Sequence, residues 1–159
     1  MLLFKLLLLL LIANGSPILV RFVTGDRWSA PIDGGRNAWD GRPLFGKSKT
    51  WRGAIGAIAA TAFAALLLGL DVTLGAGIGA LAMAGDLLSS FVKRRLGIPS
   101  SGPANGLDQV PESLLPLLGV GPRLELDGLE ISGLVAAFWI LELWLSRWLY
   151  AFKIRNRPW

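Results

Sequence analysis

Residues 85–95 read GDLLSSFVKRR. Asp86 closes an apolar, glycine-rich run; Ser89 and Ser90 lie three and four residues on, and Lys93, Arg94 and Arg95 follow. On a helix, Asp86, the serines and Lys93 fall near one face, a line running carboxylate, hydroxyl, ammonium. An ionised carboxylate roughly one and a half turns inside an apolar helix is costly unless partnered, and marks a functional site by default. The structural alternative is an internal Asp–Lys or Asp–Arg pair that locks two helices together.

Two further stretches carry the same residue types. APIDGGRNAWDGRPLFGKSKTWRG (30–53) holds Asp33 and Asp40 with Lys47, Lys49 and Arg52. A mere connection could be about five residues long, so this one is expected to have a task. Its cations precede a helix, where free backbone N–H groups also favour phosphate; the plainer reading makes them topology signals, which leaves Asp33 and Asp40 without a job. FGKSKTWRG lacks the GxxxxGK[ST] spacing of a phosphate loop and no strand precedes it, so ATP hydrolysis is rejected. LGIPSSGPANGLDQVPE (96–112) adds Asp108 and Gln109. The chain has no histidine and no cysteine, which removes the usual zinc ligands and the usual base near pH 7. Carboxylates beside phosphate-sized cationic patches suit a hard divalent ion bridging phosphoryl oxygens.

The elements that must position these groups are membrane helices. The 159 residues are 53% hydrophobic and 17% charged, with mean hydropathy +0.54, and no polar linker divides them. One integral-membrane domain over 1–159 is expected. A leucine-rich span covers 2–20, with a polar break at Asn14, Gly15 and Pro17; a signal peptide is its competitor. Spans over 53–70 and 72–92 form a tight hairpin at Asp71, with small residues for close contact and GxxxG spacing at Gly75–Gly79. Another runs from Leu129 to Tyr150. Segment 21–52 carries seven cations against three Asp, and cations recur at 93–95 and at Lys153, Arg155 and Arg157. The positive-inside rule places both long loops and the C-terminus in the cytoplasm, with the N-terminus outside. An odd number of crossings then promotes 109–124 to a fifth span; four spans with a re-entrant segment is the runner-up. The expected architecture is all-α and polytopic, with five transmembrane helices and two functional cytoplasmic loops.

The blocks ANGSP (13–17), PIDGG (31–35), DGRPLFGKSKTWRG (40–53), GDLLSSFVKRRLG (85–97) and LDQ (107–109) together resemble the CDP-archaeol synthases, membrane cytidylyltransferases related to CDP-diacylglycerol synthases. The resemblance implies Mg²⁺-dependent transfer of CMP from CTP to an isoprenoid-ether glycerol phosphate at the membrane, with no nucleic-acid partner. Carried over residue by residue, it implies Asp86 and Asp108 at the metal, with Asp40 as a further acidic candidate. Lys93 and Arg94 match the cationic pair facing phosphates, and Asp40, Lys49 and Arg52 match a first-loop clasp. Lys47, Arg95 and Gln109 join the substrate-binding candidates, and Asn14 is expected either to shape the site or to satisfy helix backbone. The chain departs from the family pattern at DGRP and at SSGPAN. A relative acting on phosphatidate would share these blocks. The other readings are a membrane scaffold or transporter subunit, whose charges would line a through-path, and a CDP-alcohol phosphotransferase, of whose Asp pattern only the first residues are present. Small-residue helix faces permit a homodimer.

Overall fold

The computed structural model describes residues 1–100, 102 and 104–151, without the side chains of 149 and 150; Ser101, Pro103, Lys153, Arg155, Arg157 and Trp159 lie outside the described residues. Five helices follow one another: α1 (Leu2–Thr24), α2 (Trp51–Leu67), α3 (Val72–Arg95), α4 (Gln109–Leu124) and α5 (Gly128–Ala151).

The polar break expected in the first span does not end it. Pro17 has no N–H to give the Ala13 carbonyl, and the Ser16 hydroxyl reaches that carbonyl instead at 3.4 Å. Asn14 donates to the Leu10 carbonyl at 3.0 Å, so both polar side chains serve the helix that contains them. Thr50 caps α2, its hydroxyl accepting from Gly53 N. Asp71 caps α3, accepting from Thr73 N at 2.7 Å.

The five-span expectation is corrected here: among the described residues three helices are long and apolar enough to cross a membrane, within Leu2–Thr24, Val72–Arg95 and Gly128–Trp148. α2 is apolar but has 17 residues, about 26 Å at 1.5 Å per residue against a hydrocarbon core of about 30 Å. α4 has 16 residues, contains Pro116 and Pro122, and buries Gln109, Glu112 and Ser113 on its first turns. Polar side chains in those positions serve a protein interior, not lipid.

α3 is the hub, packed against α2, α4 and α1. A Cβ on Gly75 would stand 2.4 Å from the Ala65 Cβ, and one on Gly79 2.9 Å from the Ile58 Cα. The GxxxG edge thus faces α2 of the same chain and is occupied within it. On another side of α3, a Cβ on Gly85 would lie 2.2 Å from the Pro111 carbonyl oxygen, so only glycine lets α4 approach there. The apolar core gathers Leu6, Leu9 and Leu10 of α1, Leu74 and Ile78 of α3, Leu117 and Val120 of α4, and Leu134 and Phe138 of α5. These come from the first halves of α1, α3 and α5 and the second half of α4, which leaves the opposite end of the bundle to polar groups.

Candidate active site

The first loop is ordered around one carboxylate. Asp33 is 7% exposed and accepts from Gly35 N at 2.9 Å and from Phe45 N and Gly46 N at 3.0 Å each. Burial pushes its carboxyl up, but the amides of Gly46, Gly35 and Phe45 together outweigh it and hold the group below the usual carboxylate range. Isolated bridges pair Pro31 with Thr50 and Asn37 with Pro43, so the loop folds back as a small platform. Gly46 has φ +96° and its Cα faces the Ser100 side chain, where the second loop meets the first.

The platform and α3 hold each other by exchanged arginines. Arg42 Nη1 donates to the Arg95 carbonyl at 2.6 Å and the Arg94 carbonyl at 3.3 Å, capping the end of α3. Arg95 reaches back, to Asp40 at 2.8 Å and the Pro43 carbonyl at 2.6 Å, with its guanidinium against Phe91 and Trp39 at 4.9 and 5.6 Å. Asp40 is therefore placed in this clasp. Arg52 lies elsewhere again: it bonds Thr24 Oγ1 and the Gly25 and Arg27 carbonyls, tying the end of α1 to the start of α2.

Deeper in, two lysines each grip a carboxylate by both oxygens. Lys49 Nζ stands 2.5 and 2.6 Å from the Asp86 oxygens, and Lys93 Nζ 2.9 and 3.0 Å from those of Asp108. Desolvation works against the Lys49 ammonium, but Asp86, with Glu112 and Asp108 behind it, holds its pKa above the ordinary lysine value. Lys49, in the first loop, ties that loop to α3, whereas Lys93 ties α3 to the start of α4; Asp86 and Lys93 do not pair with each other. Ser89 donates to the Gly85 carbonyl at 2.8 Å and so serves its own helix. Gln109 accepts from Gly106 N and donates to Glu142 Oε2 on α5, both at 2.7 Å. Asn14 lines a small cleft between α1 and α5 with Glu142 and Ser146.

Between the two loops lies a cavity of about 610 Å³, walled by Asp33, Arg42, Lys47, Arg94 and Ser100 among others. Its size suits a small-molecule ligand, for which about 300–1,000 Å³ is usual. Arg94 is 6% exposed and its Nε has no hydrogen-bond partner. With Arg42 and Lys47 on the same wall, the cavity is lined by three cations and favours an anion. The structure thus gathers Arg94 and Lys47 at the cavity and Asp86, Lys49, Asp108 and Lys93 in paired form, while Asp40 with Arg95, Arg52, Gln109 and Asn14 each sit in their own local networks. Sequence reasoning missed Asp33 as the organiser of the loop, Arg42, and Glu112, which is 8% exposed and hydrogen-bonded to Asp86. Glu112 follows Asp108 by four residues, the one-face spacing of a helix, and that spacing was its available signal.

Hard-oxygen chemistry can be tested against these donors. Among the described residues no three acidic side chains form a ready-made cage. Mg²⁺ does not need one, because it is commonly held by one or two carboxylates together with substrate phosphates and water. Asp86 and Asp108 are two carboxylates of that kind, each now engaged by a lysine, and Arg94 of the cavity wall is near enough to Asp108 to feel its charge.

A family profile described as CarS-like, CDP-archaeol synthase, matches residues 1–159. A CDP-archaeol synthase of Thermococcus onnurineus is 37% identical over 158 residues, covering 92% of this chain and 89% of its own length. That of Pyrococcus abyssi is 32% identical, covering 92% and 90%. A solved structure of "an intramembrane enzyme for archaeal membrane lipids biosynthesis" superposes with a TM-score of 0.74 at 35% identity, covering 89% of this chain and 90% of that one. With its whole length matched and its fold shared, the chain belongs to the CDP-archaeol synthase family.

Proposed function

We propose that this protein transfers CMP from CTP to a membrane lipid phosphate, with 2,3-bis-O-geranylgeranylglyceryl phosphate as the acceptor, giving a CDP-lipid and pyrophosphate. The observation that carries the reading is the cavity between the two loops, whose wall brings together the cations Arg42, Lys47 and the buried Arg94. Membership of the family supports the same reaction.

An oxygen of the lipid phosphate forms a new P–O bond at the α-phosphorus of CTP, and the α–β bridging bond breaks with its electrons leaving on pyrophosphate. The acceptor needs no strong base, since the second pKa of a phosphate monoester is about 6 and it is largely ionised at pH 7. Arg94 and Lys47 neutralise the polyphosphate on the cavity wall. Lys49 and Lys93 keep Asp86 and Asp108 oriented and supply positive charge close to where the phosphates meet. Asp86 and Asp108 would hold Mg²⁺, which when bound supplies charge neutralisation at the phosphoryl oxygens. The lipid tails stay in the bilayer. We place the two loops, which meet at one cavity, on the cytoplasmic side, where CTP is supplied, on the strength of the cations at 21–52 and 93–95.

The test is turnover of labelled CTP by purified protein with Mg²⁺, offered the geranylgeranyl-ether phosphate and phosphatidate in parallel. Lipid-linked CMP from the ether acceptor is expected. Product from phosphatidate alone would replace the acceptor and keep the chemistry, whereas no pyrophosphate from either, in folded protein, would overturn the reading.

A further inference from the structure

We propose that Asn37 reads the base of the nucleotide, its side-chain amide meeting the cytosine edge at N3 and the N4 amine; the inference rests on the cytidylyltransferase reading above. Asn37 and Pro43 both line the cavity between the loops. An isolated antiparallel bridge pairs them, closed by Ala38 N to the Arg42 carbonyl at 2.8 Å and by Leu44 N to the Arg36 carbonyl at 3.1 Å. Those bonds run through the neighbours on either side, so Asn37 and Pro43 form a non-hydrogen-bonded pair, whose side chains share one face and stand close. The bridge therefore offers the cavity a flat apolar ring and an amide side by side. A planar base stacked on the ring presents its edge to the amide.

The charged groups of the wall suit the phosphates instead. Arg42, Lys47 and Arg94 only donate hydrogen bonds. Asp33 accepts, but both its oxygens are taken by the amides of Gly35, Phe45 and Gly46. Among the described residues the Asn37 side chain makes no hydrogen bond within the protein. Its amide carries a donor next to an acceptor, and cytosine asks for that pair, since its N4 amine donates and its N3 accepts. A half-turn of the amide fits uracil, so Asn37 supplies affinity for a pyrimidine edge and not the choice between CTP and UTP. Position agrees with this role. Arg94 is buried whereas Asn37 and Pro43 are exposed, so phosphates held against Arg94 leave the nucleoside pointing outward to the bridge. The bridge is also fixed relative to Arg94, because Arg42 donates to the Arg94 and Arg95 carbonyls and Arg95 donates to that of Pro43.

The experiment is equilibrium binding of three ligands to detergent-purified wild type and Asn37→Ala. They are CTP, the pyrimidin-2-one ribonucleoside triphosphate, which lacks the N4 amine, and tripolyphosphate, which lacks the nucleoside. CTP affinity should fall about tenfold in Asn37→Ala, the scale of one or two neutral hydrogen bonds, with tripolyphosphate bound as before. Removing the amine should weaken binding several-fold in wild type and not in Asn37→Ala, because the two changes delete the same contact. An equal loss in both proteins would overturn the inference. Should Asn37→Ala lose tripolyphosphate as well, photo-cross-linking of 4-thio-UTP to the wild-type chain answers the same question, its sulfur standing where cytosine has the amine. Adducts on the 37–43 hairpin that CTP competes away support Asn37, and adducts confined to other segments refute it. A wild type that binds neither CTP nor tripolyphosphate sinks the parent reading, whereas CTP bound with additive effects sinks Asn37 alone.

Discussion

Asp33→Asn probes the first loop with almost no change of shape. The carboxylate accepts amide N–H groups on both oxygens, one on Oδ1 and two on Oδ2. An asparagine can keep the two by pointing its carbonyl at Phe45 and Gly46, but its NH₂ then meets the Gly35 N–H, donor against donor. At least one charge-assisted bond is lost, worth about 1.5–3 kcal/mol. At 1.4 kcal/mol per decade that is roughly a tenfold to hundredfold shift towards an open loop. Amide hydrogen exchange at Gly35, Phe45 and Gly46 should accelerate by that factor, and CTP affinity should fall by up to the same factor through the smaller competent fraction. The melting temperature of the bundle should barely move, because the core around Leu9 and Phe138 lies at the other end. Acid should imitate the substitution. The folded pKa of Asp33 is depressed, so its contribution is present in full above the unfolded value of about 3.9 and is lost as pH falls through the folded pKa. Protection of these amides, relative to their intrinsic exchange at each pH, should therefore fall below about pH 4, while Asp33→Asn should show no such step. Unchanged exchange at all three amides in the variant would refute the role given to Asp33.

Gly85→Ala places a Cβ 2.2 Å from the Pro111 carbonyl oxygen, so α3 and α4 must separate; lower melting temperature and loss of CMP transfer are expected. Gly77→Ala in the same helix meets nothing within 4 Å and should be neutral or stabilising by up to about 1 kcal/mol, which thermal melts of the two variants compare directly. Arg94→Lys keeps the charge but removes Nε and the planar fork, and steady-state kinetics should show KM for CTP raised with the melting temperature little changed. An unaltered KM would mean that Arg94 does not meet the nucleotide.

Local residue types announced the acids and cations, yet their pairings were not legible. Asp86 invited a partner on its own face, and Lys93 lay at the right spacing, but Lys49 arrives from 37 residues away and Lys93 turns to Asp108. Tertiary placement decides such pairs, and periodicity is blind to it. Arg52 read as a phosphate ligand because a cation before a helix is ambiguous; the structure uses it on the carbonyls ending α1. The hairpin of small residues was readable, since Gly75 and Gly79 have no other use at that spacing. The fifth span was over-read: charge parity promoted 109–124, whereas Gln109, Glu112 and Ser113 already carried the polarity of a buried helix start. Treating that segment as membrane also concealed Glu112.

The long reach of the Lys49–Asp86 contact has a consequence for how the chain is made. Lys49 leaves the ribosome first, and Asp86 follows within a helix that has to enter lipid. An unpaired Asp costs about 2.5–3.5 kcal/mol at a helix centre on the insertion scale, and less towards its end. Its neutralising lysine is tethered by α2, the other arm of the same hairpin. Biogenesis should thus favour delivery of α2 and α3 as one unit, with the counter-charge at hand when the acid arrives. The Lys49–Asp86 pair would then form in an insertion intermediate, before α4 has packed against α3.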